Sequence, residues 1–446
     1  MSRGDLIWIV CLFFLSFGGF MYSGETLAFT SADEYLSHSK EALTCVNGQC
    51  HEQLRPGGKK FLHEPVASVQ CGICHKAEAY PLKFGLDQHQ SIVCNGCHVE
   101  MGDELRMNQF IHGPIKDGNC SVCHDPHSSD RQFYLKESFG KLCSICHIPA
   151  SYSAGKSVHQ PVKDGNCGIC HDPHASNYKF RLTDFGANLC ISCHDEMIKA
   201  MTFGHTHTPL IESGCTGCHN PHAGDNNLRL RNTPEEICFT CHEEKKDEVS
   251  NYTVKHQPAI EGKCAECHSP HASLQKYQLL DEIDFLCYTC HEERGVWKAM
   301  EFQHGPVTQG NCTACHNPHG SDYPLILRLP FPEKFYTEYE DGKYSLCFLC
   351  HKEAMITVEQ TETVTSFRNG QVNLHSLHVK QKKGRTCRAC HDIHASDTEH
   401  HMREEFQFGQ MNIPMYYFKT STGGRCIPGC HKERGYDRLN MVINED

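Results

Sequence analysis

Thirty of the chain's 31 cysteines fall into fifteen pairs, and a histidine follows every pair at once. Thirteen pairs have two intervening residues. They are Cys71/Cys74-His75, Cys94/Cys97-His98, Cys120/Cys123-His124, Cys143/Cys146-His147, Cys167/Cys170-His171, Cys190/Cys193-His194 and Cys215/Cys218-His219 in the first half. Cys238/Cys241-His242, Cys264/Cys267-His268, Cys287/Cys290-His291, Cys312/Cys315-His316, Cys347/Cys350-His351 and Cys387/Cys390-His391 follow in the second. Two pairs are stretched: Cys45/Cys50-His51 has four residues between the cysteines and Cys426/Cys430-His431 has three. Only Cys11 is left over.

C-x-x-C-H is the attachment pattern for a c-type haem. Two thiols on one helical turn reach the two vinyl groups along one porphyrin edge, and the next residue turns its imidazole to the iron. Zinc knuckles also use C-x-x-C, but zinc does not require a histidine after every second cysteine. A disulfide framework would not impose that rule either, and a thioredoxin-like redox pair would occur once. The expected cofactor is therefore covalently attached haem c, about one per pair and fifteen in all. Composition agrees. The hydrophobic fraction is 39% with the cysteines counted in it, thin for a chain of 446 residues that must fill its own core. Fifteen macrocycles would supply the missing apolar volume. A net charge of −12 excludes the basic stripe of a nucleic-acid binder.

Residues 1–28 read as a signal peptide: Arg3, then the apolar run 6–20, then Thr26-Leu27-Ala28 as a cleavage site. The run is short for a membrane span. Covalent haem attachment takes place outside the bacterial cytoplasm, the compartment such a leader reaches. The rest divides into a single-haem segment at 29–62, regular two-haem modules over 63–320, and C-terminal modules with longer inserts over 321–446.

Each module has a first site, A, and a second, B. The A sites start at Cys71, Cys120, Cys167, Cys215, Cys264, Cys312 and Cys387, and the B sites at Cys94, Cys143, Cys190, Cys238, Cys287, Cys347 and Cys426. The A-to-B spacing is 23 residues in the first five modules and 35 and 39 in the last two. Such repetition implies units that contact mainly their neighbours. The remaining histidines keep the same phase. One lies eight residues before each A site (His63, His112, His159, His207, His256 and His304), with His378 nine before the last. Another lies three after the A-site histidine, mostly in C-H-x-P-H (His127, His174, His222, His271, His319 and His394). His89 and His38 complete fifteen candidates for the second axial position. His205, His375, His400 and His401 remain spare. The upstream histidine is expected to close its own A haem. The C-H-x-P-H histidine, tied too close to the proximal face, is expected to serve a neighbour, most simply the B haem, with proline stiffening the turn.

With the C-H-N-P-H and C-H-D-P-H runs and the upstream His112-Gly113-Pro114 and His304-Gly305-Pro306, the sequence resembles the multihaem c-type cytochromes with doubled C-x-x-C-H motifs. That family includes pentahaem donors to nitrite reductase and decahaem conduits of the outer membrane. The resemblance covers residues 38–431 and implies bis-histidine haems at low potential, stacked closely along a wire. Fifteen haems, two stretched motifs and loosened C-terminal modules depart from it.

The function expected is a periplasmic, outer-membrane-associated or extracellular electron conduit rather than an enzyme. Its partners would be an inner-membrane quinol oxidase or periplasmic cytochromes on one side. On the other would stand an outer-membrane porin or an extracellular cytochrome, with no nucleic acid and membrane contact only through these proteins. The alternatives are a nitrite, sulfite or hydroxylamine oxidoreductase with one open haem, and a subunit of an extracellular cytochrome filament. The expected fold is mainly α with much coil: an extended array of short helices with minimal β, save a hairpin within 356–374 marked by Asn369-Gly370. Aromatic residues in 331–344 and 415–418 are expected to pack over haem edges rather than form a docking surface.

Overall fold

The computed structural model describes residues 58–78, 83–429 and 431–445. The leader, Cys45, Cys50, His51, His38 and Cys430 lie outside the described residues. Two compact units divide the chain. One runs to Cys146 and includes Pro173–Ala175; the other comprises His147–Asp172 and Ser176 onward.

The local plan repeats. In the first unit a two-residue strand, Phe110–Ile111, leads to His112, whose extended backbone (φ −66°, ψ 136°) precedes the one-turn helix Gly113–Lys116. Pro114 sits in its first turn, where a missing N–H costs nothing and a fixed φ suits the helix. Gly118, at φ +71°, ends it; a left-handed residue after a helix is a glycine's place. The A-site cysteines then ride on a single 3-10 turn, Cys120–Val122. A second short strand, Ser128–Ser129, follows, and the B-site Cys143 lies in the helix Phe139–Ser144. The second unit repeats the sequence of elements, for instance Ser157–Val158, Gln160–Lys163 and Cys167–Ile169, with Gly165 at φ +70°.

The expectation of a mainly α array with minimal β is overturned: among the described residues helix makes up 38% and strand 18%, in many small sheets. The strands arise between modules. The strand before each upstream histidine pairs antiparallel with the strand after the C-H-x-P-H histidine of the next module. Phe61–Leu62 pairs with Ser128–Ser129, Ser157–Val158 with Ala223–Gly224, and His205–Thr206 with Ala272–Ser273. Val254–Lys255 with Gly320–Ser321 and Phe302–Gln303 with Ala395–Ser396 continue the pattern. Two-residue strands are too short to show an alternating pattern in sequence, so only the long-range pairing reveals them.

The C-terminal part carries longer strands: the hairpin Glu405–Phe408 with Met411–Pro414, and a three-stranded sheet of Tyr416–Lys419, Gly423–Ile427 and Arg434–Asp437. At Asn369-Gly370 a two-rung ladder joins Arg368–Asn369 to Val372–Asn373, but Ala354–Thr357 is helical. Side-chain core is sparse. A cluster of Tyr344, Ile356 and Val379, flanked by Phe331, Tyr339 and Phe348, places the aromatics of 331–344 inward. Tyr416 and Phe418, by contrast, are exposed. Among the described residues no helix is long and apolar enough to cross a membrane.

Candidate functional site

Histidine rings face each other in a regular series. In the first unit His63 faces His98 (centroids 6.1 Å apart, planes 13° apart), His75 faces His127 (6.0 Å, 14°) and His124 faces His174 (6.1 Å, 26°). In the second, the upstream histidines pair as His159–His194 (6.2 Å), His207–His242 (6.1 Å), His256–His291 (6.4 Å) and His304–His351 (6.0 Å). The A-site histidines pair as His171–His222 (5.9 Å), His219–His271 (6.1 Å), His268–His319 (6.1 Å), His316–His394 (6.2 Å) and His391–His375 (6.4 Å).

The pairing corrects both finer assignments. An upstream histidine faces the B-site histidine of its own module, not the A-site one. A C-H-x-P-H histidine faces the A-site histidine of the preceding module, not a B site. Backbone bonding fixes the exchange. The His63 N–H donates to the His127 carbonyl (3.0 Å), and His112 to His174, His159 to His222, His207 to His271 and His304 to His394 repeat it at 2.8–2.9 Å.

The ring nitrogens are sorted by their partners. Nδ1 of His63 lies 2.8 Å from the Pro126 carbonyl, and His112, His159, His207 and His256 meet the carbonyls of Pro173, Pro221, Pro270 and Pro318 in the same way. His304 reaches the backbone of Ile393, where the last module has no proline. The A-site rings use another carbonyl, nine residues on: Phe133 for His124 (2.7 Å), Phe180 for His171, Leu228 for His219, Tyr277 for His268, Leu325 for His316 and His400 for His391. A carbonyl only accepts, so Nδ1 carries the proton and Nε2 keeps its lone pair for a metal. Burial favours the same neutral form. It pushes His222, His271 and His319 below the usual histidine range and His375 and His394 to about 4.

The residues that orient the A-site rings escaped the sequence reading. Each residue that offers this carbonyl is left-handed: Phe133 at φ 58°, Phe180 at 61°, Leu228 at 54°, Tyr277 at 60°, Leu325 at 57° and His400 at 61°. Such a conformation costs a side-chain-bearing residue roughly 1–2 kcal/mol, and six repeats tie it to the imidazole it positions. The fixed offset of nine from the A-site histidine is the signal that would have found them. The apolar members are also exposed, Tyr277 at 82% and Leu228 at 73%. Trp297 was missed too; it lies flat on His394, 3.8 Å between centroids.

His89 is set apart. It precedes the helix Gln90–Asn95, and its Nδ1 meets the Ser91 hydroxyl at 2.8 Å in place of a backbone carbonyl. His378 shares a helix, Leu374–Lys380, with His375; burial lowers its basicity, and the hydrogen bond between its Nδ1 and the Leu374 carbonyl opposes that.

The thiols form contacts between sites. Cys94 neighbours Cys120, and Cys190–Cys215, Cys238–Cys264, Cys287–Cys312 and Cys347–Cys387 repeat this between a B site and the next A site. Within modules the second cysteines are neighbours: Cys123 and Cys146, Cys170 and Cys193, Cys218 and Cys241, Cys267 and Cys290, Cys315 and Cys350.

The two thiols of a B site are not equivalent, which the sequence reading did not anticipate. Cys97 is exposed, and so are Cys146, Cys193, Cys241, Cys290 and Cys350 at the same position of the later modules. Their partners Cys94, Cys143, Cys190, Cys238, Cys287 and Cys347 are half-buried. In these six pairs the chain packs the first thiol and leaves the second at the surface. The reason is local: Cys94 lies inside the helix Gln90–Asn95, whereas Cys97 follows its end. The role of Cys97 in holding a haem rests on its place in Cys94-Asn95-Gly96-Cys97-His98 and draws no support from burial. Among the described residues no three His, Cys, Asp or Glu side chains converge as a zinc site requires.

These residues fit haem c. Two metal–imidazole bonds of about 2 Å and the ~1.1 Å from each nitrogen to its ring centre set two trans imidazoles about 6.2 Å apart. The observed separations run from 5.9 to 6.4 Å. One ring of each pair follows a C-x-x-C at once, so covalent anchor and axial ligand arrive together.

A protein-family model described as the doubled CXXCH motif matches residues 63–103, 112–151, 159–199, 207–247, 256–295 and 304–356, more than half of the chain. All six segments begin at an upstream histidine. No curated protein matches.

Proposed function

This chain belongs to the doubled CXXCH motif family, as a multihaem c-type cytochrome of electron transfer, and on that premise we propose that it is an exported fifteen-haem conduit with two histidines at each iron. The six matched doubled motifs imply about twelve covalent haems; the seventh module and the pair at Cys45 bring the number to fifteen. Each iron supplies a reversible one-electron change.

The protein's part is to hold and to insulate. The cysteine pair fixes the porphyrin edge to the backbone. The two facing imidazoles of each pair would hold the iron between them, leaving no place there for a substrate. The carbonyls at Nδ1 lock each ring in the tautomer that ligates and raise its basicity. Contacts between the thiols of successive sites support short steps from one porphyrin edge to the next.

The observation that carries this reading is the series of histidine pairs near 6 Å with Nδ1 turned away to a carbonyl. The leader at 1–28 supports export to the periplasm, where the donor would be an inner-membrane quinol oxidase or a periplasmic cytochrome. The acceptor would be an outer-membrane porin complex or an extracellular cytochrome. The test is haem content by pyridine haemochrome together with low-temperature electron paramagnetic resonance of the exported protein. Fifteen haems, all low-spin, are expected. A content far below twelve, or mostly high-spin iron, would refute it.

A further inference from the structure

In the regular modules each A-site histidine is completed from the following module: His75 by His127, His219 by His271, His268 by His319, His316 by His394. The seventh module breaks this rule. Its A-site histidine, His391, faces His375, from the insert inside the same module (6.4 Å, 30°). Nδ1 of His391 is held by the His400 carbonyl at 2.9 Å, which leaves its Nε2 for a metal, and Nδ1 of His375 lies 3.0 Å from the Thr365 hydroxyl, which can accept its proton in the same way.

The insert is built to present this ring. Asn373, almost fully buried, caps the helix Leu374–Lys380 by accepting from the N–H groups of His375 and Ser376. Its amide donates to the carbonyls of Met355 and Val358. The pairing edge is filled as well. Where an earlier module offers a strand to its successor, the seventh has the Arg368–Asn373 hairpin, and Asp437 and Val442 bind it. The Asn369 side chain accepts from Val442 N–H (2.8 Å) and donates to the Val442 carbonyl (2.8 Å), and the Gly370 N–H donates to Asp437 (2.8 Å).

We propose that the seventh module is a terminal cap, in which His375 is the second axial ligand of the haem held by Cys387, Cys390 and His391 and takes the place that a following module's histidine fills elsewhere. The exchange of histidines and strands that joins one module to the next ends here, so neither a further module nor a second copy of the chain engages this end in that way. This rests on the reading that facing histidines share an iron.

The test uses the full-length haem-loaded protein with His375→Ala and, as a reference for an ordinary module, His394→Ala. Each is expected to keep the wild-type haem content, to convert one low-spin haem to high-spin, and to bind one equivalent of carbon monoxide when reduced, against none in the wild type. Imidazole added to His375→Gly restores the low-spin signal. Where the alanine variant does not accumulate, His375→Met carries the test, adding one sulfur-to-iron near-infrared band. An unchanged His375 variant beside a carbon monoxide-binding His394→Ala overturns the cap alone. If neither variant opens an iron, the shared-iron reading fails and the cap with it.

Discussion

The His127 ring faces the His75 ring at 6.0 Å, with planes 14° apart, although the two follow different C-x-x-C pairs in different modules. His127 also gives its carbonyl to the His63 N–H, while the His63 ring faces His98. One residue of the second module thus completes the A site of the first and steadies the ligand of its B site.

The effect of His127→Ala should therefore appear one module upstream. One haem becomes high-spin and binds carbon monoxide, and the haem concerned is that of Cys71 and Cys74. Combining His127→Ala with Cys71→Ala and Cys74→Ala should abolish the carbon monoxide signal, whereas combining it with Cys120→Ala and Cys123→Ala should leave it. The readout is the carbon monoxide difference spectrum per mole of protein.

The proline of C-H-x-P-H matters less than its carbonyl. Pro221 accepts from His159 Nδ1 at 2.9 Å, and alanine supplies the same oxygen, as Ile393 does for His304. Pro221→Ala should leave every haem low-spin and cost about 0.4–1 kcal/mol through the freer unfolded chain. Thermal unfolding followed at the Soret band measures the second effect and magnetic resonance the first.

Buried Ser176 closes the turn beyond the same motif. Its hydroxyl donates to the Leu182 carbonyl (2.6 Å) and accepts from the Tyr178 N–H (2.9 Å). Ser176→Ala leaves both groups unpaired and should destabilise the second unit by about 1–3 kcal/mol, read as a lower melting temperature at unchanged haem content.

The left-handed residues give a substitution pattern opposite to ordinary surface sites. Tyr277, at φ 60° and exposed, should tolerate glycine or asparagine with a change near zero. A β-branched valine should cost about 1–2 kcal/mol and loosen the carbonyl that holds His268. Melting of the three variants side by side distinguishes them.

The cysteine–histidine pattern alone determined the chemistry, because attachment needs two thiols and an imidazole within five residues, a requirement written locally in the chain. The phase of the other histidines marked them as a set for the same reason: a repeated unit repeats its contacts. The partners of those histidines depended on tertiary structure. His63 is near Cys71 in sequence, yet its ring faces His98, because its one-turn helix and the strand bound to Ser128–Ser129 aim it there. His375 looked like a spare and faces His391. The unequal burial of Cys94 and Cys97 was just as invisible, since the motif treats its two thiols alike and only packing tells them apart. The β content between modules was equally hidden, since those two-residue strands exist only through partners more than sixty residues away, and no local pattern of apolar and polar residues records such a pairing.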